Sequence, residues 1–68
     1  MQEVKITGEF IKLGQFLKFV SVIDSGAQAK EFLLVNNVTV NDIKEDRRGR
    51  KLYRDDIIRV LNDEFIVK

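Results

Sequence analysis

The sequence predicts an α+β fold, with two helices packed on one side of a small, mainly antiparallel sheet. Three observations support this prediction. Polar and apolar residues alternate near the start, apolar residues recur at three- and four-residue steps between positions 13 and 33, and alternation returns from Val38. Sixty-eight residues correspond to one domain, expected to span residues 1–68, with a small core.

The N-terminal part of the chain predicts a strand followed by a helix. Residues 3–7 alternate with period two, and Gly8 is expected to end that strand. A single apolar stripe then indicates a helix. It comprises Leu13, Phe16, Leu17, Val20 and Ile23.

A second helix is predicted to follow closely. Ser25 and Gln28 have the spacing of a capping box, in which each side chain satisfies a backbone amide near the other residue. The helix is expected to bury Ala29, Phe32 and Leu33 and to end near residues 36–37, because asparagine tolerates the backbone conformation of a helix stop.

The remaining elements are predicted to be short strands. Residues 38–40 alternate, and Asn41-Asp42 is typical of a tight turn. Residues 57–61 and 65–67 predict two further strands, with a hairpin turn expected at Asn62-Asp63.

Composition excludes several kinds of site. The chain contains no cysteine and no histidine, which excludes disulfides, zinc sites built on these residues and a histidine general base. Adjacent carboxylates such as Asp55 and Asp56 point to opposite faces of a strand and do not form a catalytic pair. We therefore expect no enzymatic activity, no cofactor and no metal. With no apolar run long enough to span a bilayer and no signal peptide, a cytoplasmic location is expected.

Positive charge is concentrated in one segment, residues 44–54, which we call the basic loop. It holds six basic and two acidic residues, in a chain whose net charge is +1. Arginine presents a planar fork of donors that matches phosphate oxygens, and Gly49 permits a tight turn or a close approach to a ligand. Two interpretations remain open, a phosphate-binding loop or an exposed loop tip whose charges are paired internally. The partners in the second case are Glu45, Asp46, Asp55 and Asp56.

Other polar residues allow similar alternatives. Tyr53 either stacks on a base or covers the edge of the core. Ser25, Gln28 and Lys30, at the start of the second helix, either bind an anion or only cap and solvate that helix. The polar side of the first helix contributes Lys12, Gln15 and Lys18, which matter only if the fold brings them to the basic loop.

The order of these motifs resembles the RNA-binding domain named after small-subunit ribosomal protein S-four, also called the alpha-L motif, and most closely its small stand-alone bacterial version of the YaaA type. The runs 13–18, 25–30, 38–41, 47–53 and 56–58 show the resemblance, and the Arg-Arg-Gly-Arg-Lys-Leu-Tyr run is its most specific part. The chain departs from the family pattern in three places. These are Asp42, where glycine usually follows the asparagine, Ala27, and the pair Arg54-Asp55.

The resemblance implies an RNA-binding module that performs no chemistry and recognises structured RNA, with ribosomal RNA as one candidate. The implied RNA-binding residues are Lys18, Ser25, Gln28, Lys30, Arg47, Arg48, Arg50 and Lys51. The alternative is an interaction adaptor whose basic loop docks on an acidic protein surface. The sequence does not predict an oligomeric state.

Overall fold

The computed structural model describes all residues, Met1–Lys68, and contains two short helices and seven short strands. The helices are α1 (Leu13–Phe19) and α2 (Ala29–Val35), and a 3₁₀ turn over Gly26–Gln28 precedes α2. The strands are β1 (Gln2–Val4), β2 (Ile11–Lys12), β3 (Thr39–Val40), β4 (Ile43–Lys44), β5 (Lys51–Leu52), β6 (Ile57–Val60) and β7 (Asp63–Val67).

The strands form two sheets. A five-stranded sheet has the order β1-β7-β6-β3-β4, in which only the β1–β7 pair is parallel, and β2 and β5 form a separate antiparallel pair. The predicted α+β class with a mainly antiparallel sheet is therefore confirmed. The first strand, expected at residues 3–7, lies at Gln2–Val4, and the sequence analysis did not find β2 and β5.

The core is one cluster of 14 buried apolar residues between the helices and the large sheet. Phe16 of α1 is fully buried, and its ring meets that of Phe65 in β7 edge-to-face, with centroids 5.4 Å apart. Leu13, Leu17, Ala29 and Leu33 are also buried, as predicted. Phe32 was expected in the core as well, but it is only partly buried at the edge of the cluster.

The first helix ends four residues earlier than its apolar stripe predicts. Ser21 adopts φ 66°. Its amide donates to the carbonyl of Lys18 at 3.0 Å, and the amide of Val22 donates to that of Leu17 at 3.1 Å. These two bonds and the left-handed residue form a Schellman motif. Ile23 is therefore buried from beyond the helix end rather than from α1 itself.

Glutamine side chains cap the backbone at the N-terminal ends of α1 and of the 3₁₀ turn. The predicted capping box at Ser25 and Gln28 is present, at the start of the 3₁₀ turn. Gln28 Oε1 accepts from the amides of Asp24 and Ser25, the latter at 3.3 Å. Gln15 Oε1 accepts from the amide of Lys12 at 3.1 Å in the same way. The end of α2, with Asn36 as its C-cap residue, lies where it was predicted.

Turns occupy left-handed conformations without using glycine. Asn41 and Asp42 have φ of 52° and 70°, as both central residues of a type I′ turn require. Asp55 has φ 78° in the turn closed by the Asp56 amide and the Tyr53 carbonyl. The departures at Asp42 and Asp55 therefore preserve the turns. The last hairpin turns at Leu61-Asn62, one residue before the predicted position.

Candidate nucleic-acid interface

The backbone of the basic loop is hydrogen-bonded to the first turn of α1. The amide of Leu13 donates to the carbonyl of Arg50 at 2.8 Å, and the amide of Gly14 donates to that of Arg48 at 2.9 Å. A Cβ at position 14 would lie 3.4 Å from both the Cβ and the carbonyl oxygen of Arg48. The glycine at this helical position therefore allows the loop and the helix to touch. Because these two amides are already bonded, the start of α1 is a support for the loop.

Glu45 organises the loop from inside. Its side chain is only 7% exposed. It accepts hydrogen bonds from the amides of Asp46 and Arg47, from the Arg47 guanidinium (Nε to Oε2, 3.0 Å) and from the Arg50 guanidinium (Nη1 to Oε1, 2.8 Å). The amide of Glu45 in turn donates to the carbonyl of Val38 at 2.9 Å. The Glu45 carboxylate thus holds the loop's own backbone and two of its arginines together, and the Glu45 amide ties the loop to the segment that follows α2.

The same contacts set the charge state of Glu45. Hydrogen bonding to Arg47 is the largest cause, and with Arg50 it outweighs the opposing effect of burial and lowers the pKa of Glu45 to about 2. The guanidinium of Arg47, facing this carboxylate, has its pKa raised. Glu45 is therefore ionised at neutral pH and counters part of the loop's positive charge.

Of the four carboxylates considered as partners for the loop's charges, only Glu45 forms ion pairs with the arginines of the loop. Asp55 lies near the Lys68 ammonium, and Asp56 accepts from the Asn41 side chain and from the Tyr53 amide. For Arg50 the second interpretation holds, since its side chain is only one-third exposed and is paired with Glu45.

Two other cations of the loop remain available. Arg48 and Lys51 are exposed and form no ion pair with any carboxylate of the chain. Arg54 instead holds the fold together, because its guanidinium donates to the carbonyls of Ile6, Gly8 and Lys68 at 2.9–3.0 Å.

A shallow depression joins the loop to both helical segments. It is lined by Lys12, Gly14, Gln15, Gly26, Arg48 and Gly49. Arg48 therefore lies beside the start of α1 and beside the 3₁₀ turn. The sequence analysis gave Lys12 and Gln15 a role only if the fold brings them to the loop, and the fold does so. The sequence feature that indicated these two residues was their three-residue spacing on the polar side of the predicted first helix.

The predicted site residues do not all share this face. Lys18 borders an adjoining depression with Gln15, and Ser25 precedes Gly26. Arg47, Arg50 and Lys51 line a second depression, which shares only Gly49 with the first. Gln28 instead lines a hollow with Asp24 and Glu31, and its side-chain oxygen is occupied by capping. Lys30 is exposed on α2 and lines neither of the loop's depressions.

Tyr53 lines the second depression and packs against Phe10, which lies outside it. Tyr53 is 49% exposed, and its ring centroid lies 6.0 Å from that of partly buried Phe10. Lys51 Nζ lies 4.8 Å from the centroid of the Phe10 ring, a cation–π arrangement. Both interpretations of Tyr53 thus remain open, since it contacts the edge of the fold and still exposes half its surface.

The structure holds no group of three or more acidic, histidine or cysteine side chains placed to bind a metal ion. Neither helix is long and apolar enough to cross a bilayer.

Two short helices on a small sheet, with a basic loop docked on the first helix, define a small α+β domain of the kind that the sequence resemblance implies. The chain belongs to the S4 domain family, whose model matches residues 4–68. It is 51% identical over 57 residues to a Bacillus subtilis (strain 168) protein called "Probable ribosome maturation protein RlbA", and the match covers 84% of this chain and 80% of that protein. No solved structure matches the chain.

Proposed function

We propose that this protein is a small, non-catalytic RNA-binding protein of the cytoplasm that recognises structured RNA, and that the docked basic loop together with α1 forms the contact surface. The observation that favours this function most is the position of Arg48. It is an unpaired arginine beside Lys12 and Gln15, in a loop whose backbone is fixed to α1 by two hydrogen bonds.

The physical argument rests on how charge is arranged. An exposed guanidinium on a rigid backbone can donate two parallel hydrogen bonds to a phosphate without first ordering the loop. The major groove of an RNA helix is too narrow for side chains to read, so recognition through phosphates and shape is the expected mode. The surface proposed for these contacts comprises Lys12, Gln15, Lys18, Ser25, Arg47, Arg48 and Lys51.

The other predicted residues have more limited roles in this proposal. Arg50 acts mainly through Glu45, as a support for the loop. Gln28 acts through capping, and Lys30 adds charge to the helical side of the surface. Family membership and the ribosome maturation name of the Bacillus relative support ribosomal RNA as the class of target.

Reversing the charge of Arg48 tests the proposal. Arg48→Glu should weaken binding to a structured ribosomal RNA fragment by roughly ten-fold at fixed salt, because it replaces a phosphate contact with a repulsion. The fold should be unaffected, since the Arg48 side chain is exposed and unpaired, and circular dichroism checks this. Binding is measured by fluorescence anisotropy.

Lys5→Glu is the matched control, with the same change of net charge on an exposed residue that borders neither depression of the loop. Equal losses for the two variants would mean that net charge alone matters. Tight binding of an acidic protein and none of RNA would favour the adaptor alternative.

A further inference from the structure

The aromatic ring of Tyr53 has a rigid support. The residue follows Leu52, which is fully buried and pairs with Ile11 across the two-stranded sheet. The Tyr53 amide donates to Asp56 Oδ2 at 2.8 Å, and its carbonyl accepts from the Asp56 amide at 3.0 Å. Phe10 packs against the ring at an interplanar angle of 56°. The position of the Tyr53 backbone and one side of its ring are therefore fixed before any ligand arrives.

The exposed part of Tyr53 lies beside cationic side chains. Tyr53 lines the depression that it shares with Arg47, Gly49, Arg50 and Lys51, whereas Phe10 does not reach that depression. At Gly49, which lines the same depression, an added Cβ would have no atom within 4 Å, so this part of the depression is open. The ring thus forms one wall of a cationic surface, with Phe10 packed behind it.

This combination selects one kind of ligand. Cations alone serve a phosphate backbone or an acidic peptide equally well, and neither requires an exposed ring. A nucleotide presents an anion and a flat π-face together, and aromatic side chains bind unpaired bases by stacking. A base inside a duplex has both faces covered by its neighbours. A half-exposed tyrosine beside Lys51 and Arg47 therefore matches an unpaired nucleotide.

We propose that Tyr53, supported by Phe10, stacks on an unpaired base of the bound RNA while Arg47 and Lys51 contact the adjoining phosphates. This inference rests on the proposed RNA-binding function and adds to it a preference for RNA with a loop, bulge or single-stranded end. The depression that Tyr53 lines is distinct from the one at Arg48, and the two share only Gly49.

The test compares two RNAs of equal phosphate number, a stem-loop carrying 2-aminopurine at each loop position in turn and a fully paired duplex. Tyr53→Ala should weaken stem-loop binding by roughly ten-fold and leave duplex binding unchanged. Tyr53→Phe should retain parental affinity, because the ring and not the hydroxyl is used. The parent and Tyr53→Phe should quench 2-aminopurine fluorescence at one loop position, and Tyr53→Ala should not.

Two further variants keep the result interpretable. Tyr53→Leu preserves apolar bulk over Phe10 and should fold normally, yet lose the stem-loop preference and the quenching. Leu61→Ala, at an exposed residue of the β6–β7 turn, should change nothing. If parental affinity and quenching persist in Tyr53→Leu and Tyr53→Ala, while both RNAs still bind, stacking is disproved and the proposed function survives. If the parent binds neither RNA, both proposals fail.

Discussion

Phe16→Ala should lower the free energy of unfolding by about 3–5 kcal/mol, the largest effect expected for a single substitution in this chain. Phe16 has no exposed surface, and its edge-to-face contact with Phe65 joins α1 to β7. The residues around a truncated core side chain relax only partially, so a cavity would remain between the helix and the sheet. In a chain of this size the loss is comparable to the whole stability.

Phe32→Ala is the matched control, because this phenylalanine lies only partly buried at the edge of the same core. It should cost clearly less than Phe16→Ala. Urea unfolding followed by circular dichroism measures both, and Phe16→Leu provides a milder variant if the alanine protein does not fold. A midpoint for Phe16→Ala at or above that of Phe32→Ala would contradict the proposed core.

Glu45→Gln should lower stability by about 2–4 kcal/mol, although a glutamine is nearly the same size. The substitution removes the charge that faces Arg47 and Arg50 and places an amide group where only acceptors fit. The loss should fall below that of a fully buried ion pair, because Arg47 is 73% exposed and can be solvated. Thermal or urea unfolding at neutral pH measures it.

The same residue predicts a pH dependence. The pKa of Glu45 in the folded chain, about 2, lies below its ordinary value of 4.5, so the native state binds this proton less readily than the unfolded chain does. Its contribution to stability is therefore fully present above about pH 4.5 and is lost as the pH falls toward 2. The difference in stability between parent and Glu45→Gln should shrink over this range. A constant difference would show that the carboxylate is not stabilised by the loop.

Sequence periodicity predicted the elements that have enough residues to show a period. The stripe through Leu13, Phe16 and Leu17 and the glycine-free turn at Asn41-Asp42 were confirmed. Strands β2 and β5 have two residues each, and two residues cannot display an alternation. The end of α1 was missed because Val20 and Ile23 continue the apolar stripe beyond Phe19, although Ser21 has already turned the chain.

The candidate site was less predictable, for a different physical reason. Charge density along the chain located the basic loop, but which arginines are free depends on tertiary structure. The sequence offered Glu45 only as one of four possible partners. Because glutamate is rarely buried, the sequence did not indicate that this one would bind Arg47 and Arg50 and leave Arg48 exposed. The meeting of Lys12 and Gln15 with the loop likewise depends on the hydrogen bonds that dock the loop on α1.

The central claim is that a preformed basic loop binds RNA through its phosphates, and the salt dependence of binding tests it most directly. Affinity for one structured ribosomal RNA fragment is measured across a series of salt concentrations for the parent, Arg48→Gln and Lys5→Gln. With roughly four phosphates neutralised, the slope of log affinity against log salt should be about −3 to −4, and Arg48→Gln should reduce its magnitude by about 1. Lys5→Gln should keep the parental slope. A parental slope near zero, or a larger reduction for Lys5→Gln than for Arg48→Gln, would contradict the account.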